Sequence, residues 1–339
     1  MSNTGKPLER LGITAVFVIW GPPHGSHRSQ LMGDQLGADI QHIWFTSKRG
    51  RRVAPVKYLV QTLMTLVFLL RYRYQLVFIQ APPILAAWPV YVYSLFSRAH
   101  FIIDAHTDAL LASYWTWSLP LHRFLSRRAL TTIVTNDDLQ SVVASWSAPS
   151  FVLTDVPLFL PSRQQVCPDE APFSVVMISS ASPDEPTAEV LEAASRLPDV
   201  PFYITGDYSA RREVVKGAPP NLRFAGRLPD KEFYELLQGA RAVMCLTTED
   251  HTLQSGASEA LWLGKPIITS DWPLLRAYFD RGTIHVDNTA ESICQAVMTM
   301  KGNLPQFEAE ILTLQALRRR EWWKKADNLI HIIQEAVLP

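Results

Sequence analysis

The chain has 339 residues, of which 47% are hydrophobic and 19% are charged, so it can bury more than one core and is not a disordered chain. Its 32 basic and 32 acidic residues cancel, which argues against nucleic acid as a partner. The three cysteines have no CxxC or metal-ligand spacing, so neither a disulfide framework nor a metal site is expected. The polar N-terminus has no signal-peptide core, which makes the cytoplasm the expected location.

Short apolar stretches alternate with helical patterns in the first half of the chain, as in βα units on a parallel sheet. The strands are predicted at 13–21, 40–45, 75–80, 100–106 and 130–136. The helices are predicted at 30–37, 56–71, 84–97, 119–128 and 137–146. The apolar run 76–96 is long enough to cross a bilayer, but Pro82 and Pro83 divide it into a strand, a turn and a helix.

A stretch at 157–173 is rich in proline, has no periodicity and predicts a linker. The βα pattern then restarts. Further strands are predicted at 173–181, 200–206, 221–226, 242–248, 265–270 and 283–287, with helices at 186–197, 231–239 and 258–263. We therefore predict an α/β fold of two doubly wound domains, 1–160 and 171–305, facing each other across a ligand-binding cleft. The long helix at 306–339 packs on the outside of a domain or braces the N-terminal one.

The strongest functional pattern lies at 247–273, where Gly256 and Ser258 lead into a helix with Glu259 in its predicted first turn. A helix N-terminus lined by small residues can bind phosphate through its backbone N–H groups. The Glu259 carboxylate can accept hydrogen bonds from both hydroxyls of a ribose. In the alternative interpretation, Glu259 only complements the helix dipole.

This segment resembles the nucleotide-sugar-binding motif of the retaining GT-B glycosyltransferases of family 4. That family carries two glutamates separated by seven residues, the second followed by the pattern A-x-x-x-G-x-P-V/I-I. Glu259 matches the second glutamate, whereas His251 stands at the position of the first, beside Asp250. The resemblance implies that Glu259 holds the donor ribose and that Asp250 and His251 lie in the catalytic region.

The same resemblance implies two Rossmann-like domains, with the acceptor side in the N-terminal one and the donor side in the C-terminal one. The implied reaction moves a sugar from a nucleotide-sugar donor to a hydroxyl acceptor with retention. It needs neither a metal nor another cofactor. We expect a role in polysaccharide or glycolipid synthesis. The alternatives are a nucleotide-sugar epimerase on the same scaffold and a non-catalytic nucleotide-binding relative.

The remaining candidate residues follow predicted strands. By the resemblance, His106 lies beside the transferred sugar, although a histidine at a strand end can also be structural. The turn GPPHGSHRS lacks GxGxxG but brings Gly25 and Arg28 towards the donor or acceptor, unless Arg28 only forms a surface pair. Family 4 enzymes usually carry an arginine and a lysine after the first C-terminal strand. Here Ser180 occurs instead, so the negative charge of the diphosphate must be stabilised by Arg28, Arg227 or other hydrogen-bond donors.

A basic run at 47–52 precedes an apolar helical pattern. Such a run is usually a solvated loop. Next to an exposed apolar helix it favours anionic lipid headgroups or a lipid-linked acceptor instead. This interpretation predicts peripheral contact with an anionic membrane, at its inner face.

Overall fold

The computed structural model describes residues 6–23, 27–46, 50, 52–158 and 172–338. The chain divides into two compact units: unit 1 comprises Met1–Val156 and Glu321–Pro339, and unit 2 comprises Pro157–Arg320. Most of the predicted linker at 157–173 lies outside the described residues.

Unit 1 is built on a parallel sheet of six strands. These are β1 (Ala15–Ile19), β2 (Asp39–His42), β3 (Leu76–Ala81), β4 (His100–Ala105), β5 (Thr131–Val134) and β6 (Ser150–Val152). Their order is β2-β1-β3-β4-β5-β6, so the direction of winding reverses between β1 and β3. The five predicted strands are confirmed with ends that differ by up to three residues. The strand β6 was missed because three residues are too few to show a period.

Helices cover the strands of unit 1. They are α1 (Pro7–Arg10), α2 (His27–Leu36), α3 (Ala54–Tyr72), α4 (Ala87–Ser97), α5 (Thr107–Leu111), α6 (Leu119–Ser126) and α7 (Asp137–Ser145). The prediction that the run 76–96 is a strand, a turn and a helix is confirmed by β3 and α4. By length and composition, α3 is long and apolar enough to cross a membrane. In this structure it lies on unit 1 and buries Gln61, Thr65 and Leu69.

Unit 2 contains a second parallel sheet of six strands. These are β7 (Val175–Met177), β8 (Phe202–Thr205), β9 (Leu222–Gly226), β10 (Ala242–Cys245), β11 (Ile267–Ser270) and β12 (Thr283–Val286). Its helices are α8 (Thr187–Arg196), α9 (Arg212–Lys216), α10 (Asp230–Gly239), α11 (Ser255–Trp262), α12 (Pro273–Tyr278), α13 (Ala290–Gly302) and α14 (Leu304–Val337), the last of which continues into unit 1. The strand order β12-β11-β10-β7-β8-β9 reverses between β10 and β7, which confirms the predicted α/β fold with two doubly wound sheets.

The second half of α14 completes the core of unit 1. The Trp322 side chain is 1% exposed, and its indole Nε1 donates a hydrogen bond to the Thr154 carbonyl oxygen (3.2 Å). Leu329 and Ile333 lie in the same core cluster, together with Phe17 of β1. Residues more than 300 positions apart therefore share one core.

Candidate functional site

The carboxyl ends of β7 and β10 lie where the strand order of unit 2 reverses, which is where doubly wound sheets bind ligands. The helix α11 meets the sheet at this point. A Cβ atom on Gly256 would lie 2.8 Å from Ile178 Cγ2 and 3.0 Å from Cys245 Sγ. Glycine therefore allows the first turn of α11 to lie directly against the ends of both strands.

The helix α11 begins at Ser255, three residues before the predicted start at Ser258. Its N-cap residue, Gln254, has an extended backbone and makes no side-chain cap. Instead the Gln254 amide donates a hydrogen bond to the Leu246 carbonyl oxygen (3.0 Å). The Ala257 and Ser258 N–H groups donate to the Gln254 carbonyl oxygen. Since the Gln254 side chain does not cap the helix, the N–H groups of Ser255 and Gly256 can bind an anion.

Glu259 consequently lies in the second turn of α11, and the predicted first-turn position was wrong. Burial, followed by the charge of Glu259, raises the pKa of Tyr234 in α10, and the same two causes raise the pKa of Cys245 at the end of β10. The half-buried Glu259 carboxylate therefore lies near the strand reversal. Ser258 is fully buried and its hydroxyl has no hydrogen-bond partner among the described residues, which argues against the predicted contact with a donor.

The loop after β7 carries two acids and no base. The Glu185 carboxylate accepts hydrogen bonds from the Ser180 N–H (2.8 Å), the Ser180 hydroxyl (3.0 Å) and the Ser179 hydroxyl. The Asp184 carboxylate accepts one from the hydroxyl of Thr247, just after β10 (2.7 Å). The Asp184–Thr247 bond connects the loops on both sides of the strand reversal. Ser180, a predicted donor-binding residue, is already bound to Glu185.

The other predicted residues of unit 2 lie on loops that follow β9 and β10. The Asp250 carboxylate accepts the His251 backbone N–H (2.7 Å), and its second oxygen lies 3.5 Å from His251 Nε2. His251 is exposed and has a φ of +62°.

Arg227, the other predicted residue, lies near Asp207 on the loop after β8. Hydrogen bonds from Ser209, and to a smaller extent the charge of Arg227, lower the pKa of Asp207. Arg227 is thus an exposed cation at the end of β9.

A buried network surrounds Asp104 at the end of β4 in unit 1. One carboxylate oxygen lies 3.3 Å from Arg28 Nη2, and the other accepts the Ser29 hydroxyl (3.0 Å) and lies 3.2 Å from His106 Nε2. Burial alone would raise the pKa of Asp104, but Arg28, His106 and Ser29 hold it well below its usual range. Asp104 is therefore a fixed negative charge behind His106.

Arg28 is buried and paired within unit 1. Its Nη1 donates to the Asp155 carboxylate (2.9 Å), and its Nη2 donates to the Leu153 carbonyl oxygen (2.8 Å) as well as to Asp104. Burial would lower the pKa of Arg28, but the two carboxylates raise it above its ordinary value. This pairing argues against the predicted contact with donor phosphates, because the guanidinium is already paired with Asp104 and Asp155. Gly25, predicted beside it, lies outside the described residues.

His106 is the N-cap residue of α5 and follows β4 directly. Its backbone N–H donates to the Ala81 carbonyl oxygen (2.9 Å), and its side chain is 29% exposed. An imidazole with one nitrogen on a carboxylate can donate or accept a proton through the other. Sequence reasoning predicted His106 but missed Ser29 and Asp155. Asp155 follows β6, so recognising that strand would have provided the signal.

Metal-ligating side chains do not cluster in the part of the chain that the structure describes: no group of three or more histidine, cysteine, aspartate or glutamate residues lies close enough to hold an ion.

Residues 185–320 match a protein family described as glycosyl transferase-like. The matched region extends from the loop after β7 into α14 and includes β10, α11 and Glu259. No curated protein matches the chain in sequence.

Solved structures match the chain across both units. Sucrose-phosphate synthase from Thermosynechococcus elongatus has a TM-score of 0.73 at 12% identity, covering 95% of this chain and 98% of that one. HepE of Anabaena, in complex with UDP and glucose, has a TM-score of 0.69 at 13% identity, covering 95% and 100%. A glycosyltransferase from Rickettsia africae has a TM-score of 0.66 at 13% identity, covering 98% and 92%. The chain has the GT-B glycosyltransferase fold.

The candidate residues of this GT-B fold lie on both units. Glu259, Gly256, Asp250 and His251 lie on unit 2, inside the region that matches the glycosyl transferase-like family. His106 lies on unit 1, with its carboxylate partner. The prediction of two Rossmann-like domains is confirmed.

Proposed function

We propose that this enzyme transfers a sugar from a UDP-sugar to a hydroxyl acceptor with retention of the anomeric configuration. The observation that carries the proposal is the position of Glu259 on α11, at the strand reversal of unit 2 and within the family-matched region. HepE was solved with UDP and glucose and with UDP-glucose, which supports a uridine nucleotide. Retention is supported by the resemblance of residues 247–273 to the family 4 motif.

The donor is bound by unit 2 in this proposal. The first turn of α11 offers backbone N–H groups and the positive end of the helix dipole to the diphosphate. Glu259, one turn later, accepts the ribose hydroxyls. Because Asp184 and Glu185 occupy the loop where the related family has two bases, the backbone groups and Arg227 carry the phosphate charge.

The acceptor is bound by unit 1, with His106 hydrogen-bonded to the reacting hydroxyl and oriented by Asp104. We propose a lipid-linked acceptor at the cytoplasmic face of a membrane, in the synthesis of a glycolipid or polysaccharide. The basic run next to the apolar α3 supports this location. Of that run, Lys48, Arg49 and Arg51 lie outside the described residues, and Arg52 is exposed.

Donor binding is tested by thermal unfolding with UDP, GDP, ADP, CMP and dTDP and their sugar conjugates, since a ligand of the folded state raises the melting temperature. We expect UDP and one UDP-sugar to give the largest increase. Glu259→Ala should weaken UDP binding at least tenfold, because it removes charge-assisted hydrogen bonds of about 1.5–3 kcal/mol each. Glu232→Ala, which removes an exposed acid from α10, is the control and should bind UDP normally.

Several outcomes would contradict parts of the proposal. A normal UDP response in Glu259→Ala, with normal melting, would reject the donor site. Binding without turnover would indicate a nucleotide-binding protein, and an epimerised sugar formed without acceptor would indicate an epimerase. An inverted anomeric centre, read from the product by NMR, would reject retention. If labelled sugar from the UDP-sugar never enters lipid or polymer fractions, the proposed lipid-linked acceptor is rejected.

A further inference from the structure

The helix α3 buries Gln61, Thr65 and Leu69 against unit 1 and leaves a row of apolar residues exposed. The Gln61 side-chain amide donates to the Ile43 carbonyl oxygen (2.8 Å), and the Thr65 hydroxyl accepts from Trp20 Nε1 (2.9 Å). The opposite face carries an outer row of apolar residues, each at least 54% exposed: Val56, Leu59, Leu63, Val67 and Leu70. Their spacing of three and four residues places them on one side of the helix. Folding of unit 1 does not account for this row, because the unit leaves it exposed.

Exposed aromatic residues lie near the outer row. Trp44 and Phe45 follow Ile43, whose carbonyl oxygen is bound by Gln61, and they are 44% and 48% exposed. At the C-terminal end of the row, Phe96 is 83% exposed and lines a pocket together with Leu70. Single exposed apolar side chains are common in soluble proteins, but a continuous apolar face is typical of a binding surface.

The sequence around α3 contains cations and no carboxylate. Between Asp39 and Asp104 there are eight lysine and arginine residues and no aspartate or glutamate, although the whole chain has 32 of each sign. In the sequence, all of these cations except Arg98, which ends α4, precede or follow α3 directly or lie within its first and last turns. The eight cations are Lys48, Arg49, Arg51, Arg52, Lys57, Arg71, Arg73 and Arg98. An apolar face with basic ends is complementary to a surface that is apolar inside and anionic outside.

A pocket of about 550 Å³ opens at the C-terminal end of α3. Leu70 and Phe96 line its apolar side, and Arg73, Arg98 and His100 line its basic side. Arg73 and Arg98 end α3 and α4 in the left-handed conformation and are exposed, and neither side chain forms an ion pair with a described residue. The pocket therefore places two unpaired cations next to apolar side chains.

We propose that the outer row of α3 lies on a bilayer that contains anionic phospholipids, and that the pocket binds a lipid headgroup phosphate between Arg73 and Arg98. The helix lies in the interface and does not cross the membrane, because Gln61 and Thr65 hold its inner face on unit 1. Asp39 lies beside the pocket, but its carboxylate accepts the Tyr74 hydroxyl (2.8 Å). A second copy of the chain fits this face poorly, because it would bring the same cations together.

This inference rests on the membrane location in the proposed function and does not depend on the donor or the reaction. It is tested by co-sedimentation of the full chain with phosphatidylcholine vesicles, with and without about one-third phosphatidylglycerol. Leu63→Gln/Val67→Gln should reduce binding to the anionic vesicles at least tenfold. Arg73→Gln/Arg98→Gln should reduce it about fivefold for each cation and leave binding to phosphatidylcholine unchanged. Both pairs are exposed, so the melting temperatures should equal that of the wild type.

Two controls separate the surface from general effects of composition. Met298→Gln replaces an exposed apolar residue of unit 2, and Arg10→Gln/Lys301→Gln removes two exposed charges elsewhere. Both should bind vesicles like the wild type. The UDP response is measured on the same preparations. A missing UDP response contradicts the donor proposal and not the docking surface, whereas a missing vesicle response contradicts the docking surface and the membrane location and not the donor proposal.

Three results would overturn the inference. Equal vesicle binding by the wild type and Leu63→Gln/Val67→Gln would show that the outer row does not bind the bilayer. An unchanged preference for phosphatidylglycerol in Arg73→Gln/Arg98→Gln would show that these arginines only complement the helix ends. A dimer that Leu63→Gln/Val67→Gln converts to a monomer, seen by sedimentation equilibrium, would assign the face to a second copy.

Discussion

Two buried ionisable residues of unit 1 differ in charge: one is ionised and the other is neutral. Asp104 keeps its charge because Arg28, His106 and Ser29 surround it. His122 in α6 is packed against the ring of Trp146, with ring centroids 5.4 Å apart, and burial lowers its pKa to about 4, partly opposed by the Ala109 backbone. The first residue is therefore folded as an anion and the second as a neutral ring.

His122 predicts a specific loss of stability in acid. Between pH 6.5 and about pH 4 the unfolded chain binds a proton at His122 and the folded chain does not, so the free energy of unfolding falls as the pH falls. The contribution is about 3 kcal/mol across this window. We expect His122→Leu to flatten the decline of melting temperature between pH 7 and pH 4.5.

The control is His331→Leu, which replaces a histidine of α14 that is 70% exposed. Parallel curves for the wild type and His122→Leu would show that carboxylates alone produce the acid sensitivity.

At the scale of elements, α11 is positioned by one glycine. Gly256→Ala would bring a methyl group to within 3 Å of Ile178 Cγ2 and close to the Cys245 sulfur, so the helix or the strand ends must move. We expect a loss of about 1–3 kcal/mol in the free energy of unfolding and weaker UDP binding, because Glu259 moves with the helix. Both are measured by thermal unfolding with and without UDP.

Gly239→Ala is the matched control. Gly239 ends α10, and a Cβ there meets no atom within 4 Å. This variant should be neutral or more stable by up to about 1 kcal/mol, and should bind UDP normally. Equal stability of the two variants would mean that α11 can move away from the sheet without cost.

The elements show which features a sequence can predict. Strands such as β1 and β4 were predicted because continuous apolar runs are a local signal. The start of α11 was not, because it depends on the Gln254 bond to Leu246, eight positions away. The sequence of α3 does not indicate which face of the helix is buried. The buried face is determined by the contacts of Gln61 with Ile43 and of Thr65 with Trp20.

The same limit applies to the candidate site. Glu259 was found through a motif whose spacing is local. Arg28 and Asp155 are 127 positions apart, and only the folded sheet brings them together. The sequence therefore predicted Arg28 as a phosphate ligand because it follows a glycine-containing turn. In the structure Arg28 is a buried counterion of Asp104 and Asp155.

At the scale of the whole molecule, unit 1 depends on residues from the far end of the chain. Trp322→Ala should cost about 3–5 kcal/mol, because the side chain is fully buried and the Thr154 carbonyl oxygen loses its donor. Hydrogen exchange should show faster exchange of amides in β1 and β3 and unchanged exchange in β10 and β11. Trp117→Ala, at a side chain that is 60% exposed, should leave both sets unchanged.

Faster exchange spread equally over both sheets would contradict this assignment of α14. It would mean that the two units unfold as one cooperative body, and that Trp322 does not belong to unit 1 alone in energetic terms.

The path of α14 also reverses the usual order of events during protein synthesis. Domains generally fold as they emerge from the ribosome, N-terminal ones first. Here unit 2 is one continuous segment, whereas unit 1 needs residues from Glu321 onward. The nascent chain therefore contains all of unit 2 before Trp322 is made, and the unit that is begun first is the last to close its core.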